Sequence, residues 1–169
     1  MMTFINDNEY CALIVMTDKF FCLNTESGYG LMTLDPNFSS IILSLTCSNK
    51  ELGESLIKVL ENSRTQLKDE EYDKLFKKEN IKKNWDSWLE LLQYKYNYRS
   101  KRQLLANMLN CSVYLSNNKI LISPSHHSSL EGWEGIGASH KVILSLDSSS
   151  DEIGLGIRLA FSRCTTKRF

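Results

Sequence analysis

Three histidines, five cysteines and a scatter of acids are the residues able to do chemistry, and their spacing limits what that chemistry could be. His126 and His127 are adjacent, with His140 further on. A metal site needs side chains converging on one point, as in an H-E-x-x-H helix or a histidine pair completed by a carboxylate. Neighbouring histidines point apart in most backbone states and neither pattern is present, so a polar loop carrying His126, His127 and Trp133 is the simpler reading. Nucleophilic catalysis needs a Ser or Cys held against a base. Cys11, Cys22, Cys47, Cys111 and Cys164 are odd in number, show no paired zinc-ligand spacing and sit mostly in apolar runs. They read as reduced thiols packed as small hydrophobes, with Cys47 at a helix boundary. Gly154-Leu155-Gly156 resembles a dinucleotide loop only superficially, because Leu159 stands where a third glycine belongs and the pair falls inside a helix. Glycine within a helix costs about 1 kcal/mol relative to alanine. Close approach of this helix to a sheet explains the pair better than a cofactor. No cofactor, metal or catalytic residue is expected.

Two kinds of surface remain. Tyr94–Arg102 interleaves tyrosines with Lys95, Arg99, Lys101 and Arg102, a mixture that can stack bases and neutralise phosphate. A helix junction with packed tyrosines and snorkelling cations has the same composition. Asp69, Glu70, Glu71 and Asp73 form an acidic run, and Glu131 and Glu134 flank Trp133 in a glycine-rich stretch. An exposed tryptophan ringed by acids suits a protein contact. A solvated helix face and a tryptophan closing a hairpin are the plainer alternatives.

The elements that must position these residues are legible from pattern. Around Asn117-Asn118, strands over roughly 112–116 and 119–123 form a hairpin, since Asn tolerates positive φ. A further strand follows, and then a helix opened by the capping box Ser149-Ser150-Asp151-Glu152, with Ile153, Ile157, Ala160, Phe161 and Cys164 on one side. At the other end, Tyr10–Met16, Phe20–Asn24 and Tyr29–Leu34 read as a meander turning at 17–19 and 26–28. Ser40–Leu45 adds another strand. Continuous rather than alternating hydrophobicity predicts strands covered on both faces.

Ser48 and Glu51 open a second capped helix carrying Leu52, Leu56, Val59 and Leu60 to about Arg64. Residues 66–83 read as a charged, mobile excursion with a short helix whose acids come first and lysines last, matching the helix dipole. Trp85, Trp88, Leu89, Leu92 and Tyr96 mark one side of a packed helix, and 100–109 another. The expectation is one α+β domain over residues 1–169, with an antiparallel-rich β-sheet, N-terminal meander plus C-terminal hairpin, covered by amphipathic helices. Residues 165–169 form a tail.

Bulk properties agree. The 169 residues are 42% apolar and 24% charged with zero formal net charge, so no global field draws the chain to nucleic acid or to an anionic membrane. Asp7 and Glu9 precede a first apolar run too short for a secretion signal, and no stretch reaches the roughly 18–20 apolar residues of a membrane span. The chain is expected to remain in the cytoplasm.

One combination of segments carries a family likeness. It comprises Ser48-Asn-Lys-Glu-Leu-Gly-Glu to Leu60-Glu-Asn-Ser-Arg64; Ser100-Lys-Arg-Gln-Leu-Leu to Met108; Cys111-Ser-Val; Ile120-Leu-Ile-Ser-Pro124; Leu130-Glu-Gly-Trp133; and Ser149-Ser-Asp-Glu-Ile-Gly154 through Leu159 to Arg163-Cys164. Together these resemble the CdiI-type immunity proteins of bacterial contact-dependent growth inhibition, from the opening meander to Cys164, with 66–83 and the tail outside the match. The resemblance implies a non-enzymatic cytoplasmic inhibitor. Its partner would be the cognate toxin C-terminal domain, a basic nuclease and most often an RNase, bound one to one. Complementarity to a basic cleft favours an acidic docking face, which makes Asp69, Glu70, Glu71, Asp73, Glu131, Trp133 and Glu134 the candidate contacts. The competing reading is a nucleic-acid-binding module built on Tyr94–Arg102.

Overall fold

The computed structural model describes residues 4–169. Its centre is an antiparallel path of strands in the order β3-β2-β1-β5-β6-β7. These are β1 (Tyr10–Met16), β2 (Phe20–Tyr29), β3 (Leu31–Leu34), β5 (Leu109–Ser116), β6 (Lys119–Ser129) and β7 (Gly132–Gly135). The two long strands are each paired twice along one edge. β4 (Ile41–Ser44) joins the first half of β2 and β3 the second, while β8 (Val142–Ser145) joins the first half of β6 and β7 the second. The β5–β6 turn is the expected one, with Asn117 at φ 47° and Asn118 at φ 68°.

Helices α1 (Asn49–Glu61) and α5 (Ser150–Arg163) cover one sheet face. Leu52, Leu56, Leu60, Ile153, Ile157 and Phe161 pack there onto Ala12, Ile14, Leu23, Val113 and Ile122. Both helices begin where the capping residues stand: Ser48 Oγ accepts from the Glu51 amide (3.0 Å) and Ser149 Oγ from the Glu152 amide (3.1 Å). Glycines let them touch. A Cβ on Gly154 would overlap the Asn49 carbonyl, and one on Gly53 the Ser150 carbonyl. Gly156 makes the close approach to the sheet, where a Cβ would meet Leu144 Cδ1 at 2.7 Å. Arg158 locks the pair, its guanidinium donating to the Asn49 side chain (2.7 Å) and to the Cys47 carbonyl (2.5 Å).

The other face is covered by α3 (Lys78–Lys95) and α4 (Lys101–Ala106), which bury Trp88, Leu89, Leu92, Leu104 and Leu105 against Val15, Phe20 and Cys22. Within the charged stretch 66–83, α2 (Asp69–Phe76) ends at an extended Lys77, after which α3 begins a full two turns before Trp85. Leu67 and Leu75 from this stretch are buried.

Two expectations are corrected. Residues 26–28 continue β2 instead of turning, because Ser27 Oγ donates to the buried Asp35 carboxylate (2.6 Å) and Gly28 exchanges backbone bonds with Arg64 and Leu67 (3.0 and 3.1 Å). The stretch carrying His126, His127 and Trp133 is strand rather than loop, since β7 pairs with the far end of β6.

Candidate functional site

On the face that α3 and α4 share, the helices reach only part of the sheet. Register places one cross-strand row on that face: Glu26, Cys11, Tyr114, Leu121 and Ile143, on β2, β1, β5, β6 and β8 in turn. Its β5–β8 end is open, with Tyr114 37% and Ile143 63% exposed. The next row, Leu13, Ser112 and Ser123, leads into a groove of about 500 Å3 between the sheet and Trp85 of α3. Glu131 and Trp133 line its other wall. The signal in sequence was the alternation of Ser112 and Tyr114 with the buried Cys111, Val113 and Leu115, which marks a strand with one open face.

Trp133 is fixed as the wall of this groove. Its ring lies flat on His127 (4.6 Å between centroids, 9°) and edge-on to Trp85 (6.4 Å), and its Nε1 donates to the Met108 carbonyl (2.9 Å). His127 is fully buried. Its Nε2 lies 3.0 Å from the Leu130 carbonyl, which can only accept, so that nitrogen carries the proton. The tail continues this support: β9 (Thr165–Thr166) pairs parallel to β6 at His126 and His127, and Phe169 rests 4.7 Å from the His127 ring. His127 therefore braces a wall, and His126 lies 2.7 Å from the Thr165 hydroxyl on the other side of the sheet. Among the described residues no group of three His, Cys, Asp or Glu side chains is placed to hold a metal ion.

The candidate acids fall into two groups. Asp69, Glu70, Glu71 and Asp73 are all exposed on α2. Glu71 is partly engaged by Arg64 (3.7 Å), whose guanidinium also grips the buried Asp35 (2.7 and 3.2 Å). Glu131 stands exposed at the groove, whereas Glu134 pairs in register with His126 and so faces the opposite side of the sheet from Trp133. α3 runs between the groups, from the end of α2 to Trp85 at the groove.

Tyr94–Arg102 is not a stacking platform. Tyr94 is 88% exposed, but Tyr96 is stacked on Phe20 (4.3 Å) and the Tyr98 hydroxyl is held between Thr17 (2.8 Å) and Asp18 (2.6 Å). The junction reading accounts for it, and no observation here favours nucleic acid. Among the described residues no helix is long and apolar enough to cross a membrane.

One carboxyl in this row is displaced from its ordinary range. Glu26 lies half-buried beside Cys11 and Leu34, and burial lifts its carboxyl from 4.5 to about 7. The folded protein thus holds this proton more tightly than the unfolded chain. That contribution to stability is complete below pH 4.5 and is lost as pH rises through about 7. Glu26→Gln is expected to flatten this part of the stability–pH curve and to stabilise the domain by about 1–3 kcal/mol at pH 8. Urea melts of both proteins at pH 5 and pH 8 check it; an unaltered pH slope would acquit the carboxylate.

Comparison with known proteins gives consistent results. The family model described as CdiI, CDI immunity protein, matches residues 10–164. The immunity protein CdiI-YPIII of Yersinia pseudotuberculosis serotype O:3 (strain YPIII) is 36% identical over 166 residues, covering 90% of this chain and 94% of the relative. A solved protein of unknown function from Neisseria meningitidis superposes with a TM-score of 0.93 at 36% identity, over 96% of this chain and 99% of that one. A chain of the CdiA-CT/CdiI toxin and immunity complex from Yersinia pseudotuberculosis superposes with a TM-score of 0.85 at 35% identity, over 93% and 98%.

Proposed function

The chain belongs to the CdiI family of immunity proteins, and from that premise we propose that it neutralises its cognate contact-dependent growth inhibition toxin by covering the working surface of the toxin's C-terminal domain. The toxin is a nuclease with a basic cleft, most specifically an RNase, and the complex is a one-to-one heterodimer formed in the cytoplasm. The protein acts as a plug and breaks no bond itself. The observation that carries this reading is the likeness, over nearly the whole chain, to an immunity subunit solved in complex with its toxin.

Two features give the reading a mechanism. Tyr114, Leu121, Ile143 and the Trp85–Trp133 groove offer apolar anchorage on a rigid sheet, where desolvated aromatic contacts set the dissociation rate. The exposed acids Asp69, Glu70, Glu71 and Asp73, with Glu131 and Glu134, supply the negative field that draws in a basic partner. The test is a pair of substitutions on the open face, Tyr114→Arg and Ile143→Arg. Neither side chain is in the core, so the fold should persist, while affinity for the cognate toxin domain falls by at least about 100-fold, as expected for central anchors. Growth protection in co-culture should fail with it. Full affinity in the folded double variant would move the docking surface elsewhere; no affinity of the unaltered protein for the toxin domain would end the immunity reading.

A further inference from the structure

Cys111 and Cys164 have no part in the docking surface, yet their sulfurs lie 3.6 Å apart. Cys111 is on β5 and wholly buried in the core beneath α5. Cys164 is the residue at which α5 ends, half-buried and with extended backbone (ψ 145°). We propose that this pair is a built-in cross-linking site, at which a peroxide-class oxidant converts the two thiols into an intramolecular disulfide joining the last helix to the sheet.

A disulfide requires sulfurs about 2.05 Å apart. The remaining gap can be closed from one side. Cys164 has left the helix with extended backbone, and the two-residue strand β9 comes next. The roles are unequal. Cys164 is the more exposed sulfur; with Cys111 as the donor across this contact the Cys164 thiolate is stabilised and its pKa lowered, while the same pairing and then burial raise the Cys111 thiol. Cys164 therefore attacks first. Its thiolate takes one peroxide oxygen as the O–O bond breaks, giving a sulfenic acid and, with one proton, a water. The Cys111 sulfur then attacks the sulfenic sulfur. The S–O bond breaks, and the departing hydroxide leaves as water with the Cys111 proton. Two thiols and one hydrogen peroxide give one disulfide and two waters, the two electrons passing from sulfur to peroxide. The other thiols lack this arrangement: Cys22 is fully buried with its sulfur on Asn24 (3.4 Å), and the Cys47 sulfur faces the Arg158 guanidinium (3.7 Å).

The link would close a loop between residues 53 apart in sequence, holding the β5–β6 hairpin, β7, β8 and α5. A loop of that size removes much freedom from the unfolded chain and corresponds to a rise in melting temperature of roughly 10 °C. The experiment treats the full chain with hydrogen peroxide, alkylates under denaturing conditions and maps the peptides. The expected result is a single linked peptide joining Cys111 to Cys164, a mass lower by two hydrogens, and the raised melting temperature, all reversed by dithiothreitol. In Cys111→Ser, dimedone should label Cys164. Cys111 and Cys164 both remaining alkylatable, or Cys164 passing to sulfinic acid in the unaltered protein without a link, would overturn the proposal. The map of the unaltered protein decides it even if the variant folds poorly.

Discussion

Changing Asp69, Glu70 and Asp73 together to lysine is expected to slow capture of the cognate toxin domain by about 10–100-fold at low salt, and to leave the fold intact. All three are exposed on α2 and outside both hydrophobic cores, so they act mainly through their field. Asp69 and Glu70 sit in the first turn of α2, where lysine opposes the helix dipole at a cost of about 1 kcal/mol or less each, which leaves the domain folded. Steering by charge raises association rates by about 10–1,000-fold and is screened within about 8 Å at physiological ionic strength. The deficit should therefore shrink as salt is added, while the dissociation rate stays close to its original value. Glu71 is left in place deliberately. It shares Arg64 with the buried Asp35, and removing it would mix a local structural effect into a kinetic experiment. Stopped-flow association at several salt concentrations reads the result, with a thermal melt as control. An unchanged rate with an unchanged salt slope would remove α2 from the docking field and leave the open sheet face to act alone.

The second large effect concerns stability. Gly154→Ala should cost about 3 kcal/mol, near the upper end for overpacking, because the new methyl would land on the backbone of α1 and not on a side chain that could swing away. Gly53→Ala should behave alike, since it meets the Ser150 backbone from the other helix. The two substitutions should not add: once the helices have been forced apart by one methyl, the second finds room. Gly135→Ala is the control, as nothing lies within 4 Å of its Cβ position. Urea denaturation of the two single variants, the double variant and the control would settle the pattern. A Gly154→Ala protein as stable as the original would mean that α1 and α5 can separate without loss.

Much of this architecture was legible because its causes are local. Ser48 and Ser149 cap the helices they precede, Asn117-Asn118 turns the hairpin, and the Trp85–Tyr96 spacing marks the packed side of α3. What escaped was set by distant partners. Nothing near Gly28 in sequence announces that Arg64 and Leu67 will extend its strand, and the polar run 125–129 becomes strand only because β7 and β9 take its two edges. At the candidate site, acids and tryptophan were visible as residue types. The sequence could not say that Glu131 and Glu134 face different ways. Nor could it place Trp85 opposite Trp133, since that depends on where α3 crosses the sheet. The glycine pair predicts close approach of α5 to the sheet; Gly156 makes it, whereas Gly154 serves the contact with α1.

That contact has a consequence for synthesis. Everything from Tyr10 to Ser145 can emerge from the ribosome and still leave one side of its sheet half roofed, because α1, though seated on the strands, lacks its neighbouring helix until α5 arrives. Domains are made from the amino terminus at about 5–20 residues per second, so closure of this side waits on the codons of α5. A cell sheltered by this molecule draws its shelter from finished copies alone.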